Sequence, residues 1–212
     1  MKILDSYEEL IEMIGIKSVW TIDIFFLLKN LKIDCITMTK ELEINEEFDD
    51  HPFYSKEIKE DRKRISKLVR RIKEEELAFF KRSLDMREII NELKEGNCIF
   101  IILLNDMYSF CEKCDYKIEK FLKNCLLFCF PKIYQGHYVL LFDYDEKKNV
   151  FLIKDPSNKD SFCQIKEETL ESARKSFGTE EDLIIINWKN DPNFRKKFEN
   201  KKEEDCSIKI YN

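Results

Sequence analysis

Two apolar runs joined by a charged turn place the strongest constraint on this fold. Tyr134-Gln135-Gly136-His137 leads into Tyr138 to Phe142, then Asp143-Tyr144-Asp145. Glu146 to Asn149 forms a polar turn, and Val150 to Ile153 is apolar again before Lys154-Asp155-Pro156. This pattern predicts a β-hairpin, and so an antiparallel sheet. A hairpin sets the start of its first strand beside the end of its second. His137 holds the first of those positions and Asp155 the second. A carboxylate beside an imidazole orients the ring and stabilises its protonated form, the arrangement a catalytic base requires. The chain has two histidines, and His51, next to Pro52 in a polar loop, reads as exposed. No nucleophile stands out.

At 212 residues the chain is long enough for one domain with a full core. Its net charge of -5 argues against nucleic-acid and anionic-membrane partners. The longest apolar run, Cys98 to Leu104, has the length of a strand and is well short of the ~18 residues of a membrane span. Met1 to Asp5 turns acidic at once, so no secretory leader is expected and the reading is a cytoplasmic protein. The eight cysteines then read as reduced thiols or metal ligands.

Periodicity predicts helices over residues 5–14, 21–31, 56–76 and 167–177. The helix beginning at Thr21 is apolar nearly all round and so buried. The one over 56–76 is charged, with Ile58, Ile65, Leu68, Val69 and Ile72 inward. Asp85 and Glu88 are spaced as a capping box for a further helix ended by Gly96. Strands are predicted at 33–39, 77–81, 98–104 and 183–188, the third apolar on both faces. The domain is expected over 1–188, with a Cys-rich insertion at 105–134. A charged, loose tail is expected over 189–212. The class is α+β, helices early and a mostly antiparallel sheet late.

Cys111-x2-Cys114 and Cys125-x3-Cys129 could close a tetrahedral structural zinc site and order the insertion. The competing reading is packing, since Cys125 and Cys129 would share one face of a helix. Cys35, Cys98 and Cys163 read as buried small apolar residues.

Ser18-Val19-Trp20-Thr21-Ile22-Asp23 resembles the Ser-Ile-Trp-Thr-Ile-Asp signature of the guanylyl cyclase domain-containing proteins. Phe53-Tyr54, Tyr134-Gln135-Gly136-His137, Asp155-Pro156 and Ala173 to Asp182 match the same family in the same order, across roughly residues 8 to 188. The resemblance implies a papain-like α+β fold, similar to bacteriocin-processing cysteine peptidases. It makes His137 the base and Asp155 its orienter, facing a cleft between helices and sheet with Trp20 beneath. The family carries an Asp-Cys-Gly stretch upstream of the Trp-Thr-Ile-Asp signature, and no cysteine precedes Cys35. Three functions follow as expectations. One is a binding or regulatory module that grips a peptide or protein segment. The second is a cysteine peptidase or amide hydrolase with an upstream Cys. The third, implied by the family name, is a cyclase converting GTP to cyclic GMP with Mg or Mn. The residues favour the last least. The four glycines are too scattered for a phosphate loop, and Asp143 and Asp145 read as a strand end before a turn.

Overall fold

The structure, a computed structural model, describes residues 18–49, 58–108, 111, 134–158 and 162–199. The expected helix over 5–14, Phe53-Tyr54 and His51 lie outside them. In chain order the elements are α1 (Thr21–Asn30), β1 (Cys35–Thr39), a 3-10 turn (Glu46–Phe48), α2 (Ile58–Glu74), β2 (Phe79–Lys81), α3 (Met86–Glu95), β3 (Cys98–Asn105), β4 (Gly136–Asp145), β5 (Val150–Lys154), β6 (Cys163–Lys166), α4 (Glu167–Arg174), β7 (Leu183–Asn187) and α5 (Phe194–Glu199). The strands form one sheet in the order β2-β1-β7-β3-β4-β5-β6. Only β1 and β2 are parallel; every other neighbour pair is antiparallel.

Local chemistry sets the element ends. Asp85 Oδ1 accepts from Glu88 N at 2.8 Å and Glu88 Oε2 from Asp85 N at 3.0 Å, the predicted capping box of α3. Gly96 closes that helix in the left-handed region, φ 65°. At the hairpin turn, Asp145 Oδ1 accepts from Lys147 N and Lys148 N at 3.0 and 3.3 Å, so this carboxylate shapes a turn, as expected.

Side chains alternate across a strand, and here both faces are covered. Ile36 and Met38 of β1, Phe100, Ile102 and Leu104 of β3, Val139 and Leu141 of β4 and Ile185 of β7 join one buried cluster with α3, α4 and α5. Cys35 and Ile184 join a second with Ile22, Phe25, Phe26 and Leu28 of α1 and Ile58, Ile65, Val69 and Ile72 of α2. Burying each such aliphatic or aromatic side chain is worth ~1.5–3 kcal/mol.

This arrangement corrects two expectations. The molecule is α+β, but helices and strands interleave and the helices lie on both faces, rather than a helical half meeting a late sheet. The packed chain also runs past residue 188. Phe194 and Phe198 of α5 are buried in the first cluster, and Lys197 Nζ reaches Glu92 and Glu95 of α3. Two phenylalanines four apart give an otherwise charged helix an apolar face to bury. One smaller correction concerns α4. Helix α4 stops at Arg174, because residues 175–182 are held as a loop by buried Arg174 and Glu181, whose side chains pair at 3.2 Å. Strand β7 is last in sequence but lies between β1 and β3.

Candidate functional site

Strand β4 brings the two predicted site residues together. Leu140 of β4 pairs with Lys154 of β5, so Asp155 follows β5 at the end of the sheet where β4 begins. His137 Nε2 lies 2.8 Å from Asp155 Oδ1, both side chains about one-fifth exposed. The same oxygen accepts from Ser157 N at 2.8 Å and Ser157 Oγ at 2.6 Å. Partial burial raises the Asp155 carboxyl, but the Ser157 hydroxyl and amide and the His137 ring outweigh it and hold the group below its usual range. An ionised Asp155 can only accept, so Nε2 is the donor, and in the neutral ring Nδ1 carries the lone pair. No described residue bonds to Nδ1. Ser157 was missed by the sequence reading, although Asp-Pro-Ser is the composition of an Asx turn.

Asn105 sets the approach to His137. It is wholly buried at the end of β3, and its Oδ1 accepts from Gln135 N at 3.1 Å and Met107 N at 3.2 Å. Nothing in the sequence singled it out. Tyr134, two residues before Gly136, is buried with its ring against Gly178; a Cβ at Gly178 would lie 2.6–2.8 Å from three ring carbons.

The cleft between sheet and helices exists, but the His137–Asp155 pair does not face it. A cavity of about 430 Å³ lies between α1, the first turns of α2, residues 39–48 and the sheet, lined among others by Trp20, Thr21, Leu103, Gly136, Tyr138 and Asp182. Gly136 and Tyr138 share one side of β4; His137 shares the other with Val139 and Leu141. The expectation that the pair opens onto this cleft, with Trp20 beneath it, is therefore corrected by strand alternation.

The signature around Trp20 builds the cavity's wall. Asp61 of α2 accepts from Ser18 Oγ, from Trp20 Nε1 at 3.0 Å and from Arg64 at 2.9 Å. Asp23 pairs with Arg64 and caps α1 through Trp20 N at 2.9 Å. Thr21 Oγ1 donates to Asp182 Oδ2, so the Tyr138 hydroxyl, 2.8 Å from Thr21 Oγ1, donates in turn. Burial pushes the Asp182 carboxyl up to about 7 against the lowering effect of the Thr21 and Thr39 hydroxyls. The Thr39 hydroxyl also lies 2.8 Å from the Glu41 carbonyl.

An acid with a raised folded pKa costs stability as pH climbs from its unfolded value, ~3.9, towards its folded one, and the cost is fully present above that. Asp182→Asn is therefore expected to be close to neutral at pH ~4 and to stabilise the domain by about 2–3 kcal/mol at pH ~8. Urea melts of both proteins at the two pH values check this; an equal difference at both would show that Asp182 does not titrate in this range.

Of the predicted metal ligands, Cys111 is half-buried against the first core cluster. Cys114, Cys125 and Cys129 lie outside the described residues. Among the described residues no group of three or more His, Cys, Asp or Glu is placed to hold a metal ion, and none of their helices is long and apolar enough to cross a membrane. Cys35, Cys98 and Cys163 are buried as expected, and burial pushes the Cys35 and Cys98 thiols up to about 12.

The family described as Guanylylate cyclase matches residues 2–186. The chain belongs to this family. Guanylyl cyclase 1 of Arabidopsis thaliana is 32% identical over 188 residues, which is 87% of this chain and 66% of that protein. The chain thus spans just under two thirds of its relative's length. No solved structure matches it.

Proposed function

We propose that this family member is a papain-like module in which His137 and Asp155 form the general-base half of a thiol-hydrolase site, and that it grips a peptide or amide segment at that end of the sheet. One observation carries the reading: Asp155 fixes the Nε2–H tautomer and leaves Nδ1 bare, as a base that takes a proton from a thiol requires. The described thiols do not complete such a site. Cys35 and Cys98 have thiols pushed up by burial, opposite to an activated nucleophile. On the described residues the domain therefore supports binding, and turnover of a peptide or amide requires a cysteine delivered to Nδ1.

A second reading comes from the family itself, whose description and whose Arabidopsis relative are named for guanylyl cyclase activity. Cyclisation of GTP commonly uses carboxylates holding divalent metal.

The test is made on the full chain in three parts. Long-range proton–nitrogen NMR is expected to show His137 as the Nε2–H tautomer at pH ~8, and a mixture of tautomers in Asp155→Asn, whose amide can donate as well as accept. A wild-type Nδ1–H tautomer would sink the half-site. A peptidyl epoxide that alkylates one cysteine in a His137-dependent manner would place the protein among hydrolases; no labelling would leave the binding module. Cyclic GMP formed from GTP with magnesium or manganese, and unaffected by His137→Ala, would move the activity to another site and favour the second reading.

A further inference from the structure

Helix α2 has no part in the proposed half-site, and its charge sets it apart from the rest of the chain. Its 17 residues carry eight Lys and Arg against three Asp and Glu, a net of +5 in a protein whose net is -5. Ile58, Ile65, Val69 and Ile72 join it to the core. Three of its arginines hold the fold: Arg62 pairs with Asp49, Arg64 with Asp23 and Asp61, and Arg71 with Glu75. The other five cations, Lys59, Lys63, Lys67, Arg70 and Lys73, are exposed and make no ion pair among the described residues. At ~100° per residue they fall within about a third of the helix circumference, away from the buried face, and at ~1.5 Å per residue they run about 21 Å along it. Glu60 and Glu74 stand at the two ends of this stripe.

Lys59 and Lys63, Lys63 and Lys67, and Lys67 and Arg71 are each four apart, the spacing at which like charges destabilise a helix. The apolar face would hold α2 equally well with neutral residues at these positions, so folding does not account for them. We propose that the exposed face of α2 is a docking surface for an acidic protein segment, whose carboxylates meet Lys59, Lys63, Lys67 and Arg70 turn by turn. The lysines step about 6 Å along the helix, close to the spacing of carboxylates on successive turns of a partner helix or on alternate residues of a strand. Phosphate-bearing partners fit less well. Helix α2 has no aromatic residue on which a base could stack. The exposed large hydrophobic residues among those described, Val19, Phe142 and Trp188, all lie outside it, so the stripe has no apolar anchor for a lipid layer. The chain without α2 has a net charge of -10 and repels any polyanion broader than the stripe.

The probe is a fluorescein-labelled, alanine-based peptide with one Glu on each of four successive helical turns, followed by anisotropy with the full chain at ~50 mM salt. It is expected to bind tenfold or more tighter than the same peptide with Gln, and to weaken steeply by ~300 mM salt. Lys63→Gln, Lys67→Gln and Arg70→Gln together should weaken the Glu peptide tenfold or more. The same three neutralisations at exposed Lys147, Lys148 and Lys189 should change it by no more than about twofold. Lys63→Arg with Lys67→Arg should bind like the wild type. The urea midpoint of the neutralised α2 variant should equal or exceed that of the wild type, because like charges have been removed. Equal binding of Glu and Gln peptides, equal losses in the two neutralised variants, or no saturation up to about 1 mM protein would overturn the proposal. So would a lower urea midpoint, which would give the stripe a role in folding. Tighter binding of oligouridylate or of phosphatidylserine vesicles than of the Glu peptide would overturn it in favour of a phosphate-bearing partner. The NMR and labelling tests of His137 are independent of these results.

Discussion

Arg64→Leu is expected to destabilise the domain by about 3–5 kcal/mol, the usual cost of removing one partner from a buried ionic network. The Arg64 guanidinium lies between two carboxylates whose side chains are 7% and 10% exposed, Asp23 and Asp61. Through them it ties the start of α1 to α2, because Asp61 also accepts from Ser18 and Trp20. Without the guanidinium two neighbouring carboxylates face each other in a poorly solvated site. Burial raises Asp61, but its hydrogen bonds from Ser18, Arg64 and Trp20 outweigh this and hold the carboxyl below its usual range. Its contribution is therefore present above the unfolded pKa and lost as pH falls through the folded one. In the variant, protonation relieves the repulsion between the two acids, so the deficit should shrink between pH ~7 and ~4. Arg64→Lys keeps the charge but loses the planar fork, and an intermediate loss is expected. Urea melts at both pH values measure all three proteins; a deficit under about 1 kcal/mol at neutral pH would show that the clamp is a surface ion pair of little weight.

Gly178→Ala is expected to cost about 2–4 kcal/mol, for two separable reasons. Its φ of 87° lies where an L side chain is strained, and the new Cβ would meet the Tyr134 ring at 2.6–2.8 Å. That ring cannot easily yield, since Tyr134 is 6% exposed. Gly136 presses on the same ring from β4, where a Cβ would run into the Tyr134 hydroxyl. Tyr134→Leu should remove the steric part, so adding Gly178→Ala to it should cost only the backbone share, about 1 kcal/mol. Full additivity of the two changes would show that the ring contact is immaterial. The position matters for the site because Tyr134 anchors the chain just before His137. In Gly178→Ala the His137 tautomer signal should therefore shift together with stability.

The family motifs thus divide by role. The segment from Ser18 to Asp23 and the one from Ala173 to Asp182 build the wall and floor of the cavity. His137 and Asp155 to Ser157 build the half-site on the opposite face of the sheet, while Tyr134 and Gly136 line the cavity. Tyr134 and Gly178 connect the two, since one ring packs between a glycine of each group.

Local features of the chain were legible because short-range physics sets them. The capping box of Asp85 and Glu88, the glycine end of α3, the buried α1 and the hairpin joining β4 to β5 each follow from residues a few positions apart. The His137–Asp155 contact was legible for the same reason, since a hairpin is a local structure and its register brings the two ends together. The face on which that pair opens was not. It depends on which side of β4 each helix covers, and residues far apart in sequence decide that. The buried Phe194 and Phe198 were lost among lysines and asparagines, because composition averages over a six-residue helix whose apolar pair has meaning only against α3. In the sequence Asp182 stands out only as the last residue of the Ala173 to Asp182 match. Only the tertiary structure, by bringing Thr21 of α1 to it and Tyr138 of β4 to Thr21, set its carboxyl in a hydrogen-bonded chain and pushed it up to about 7.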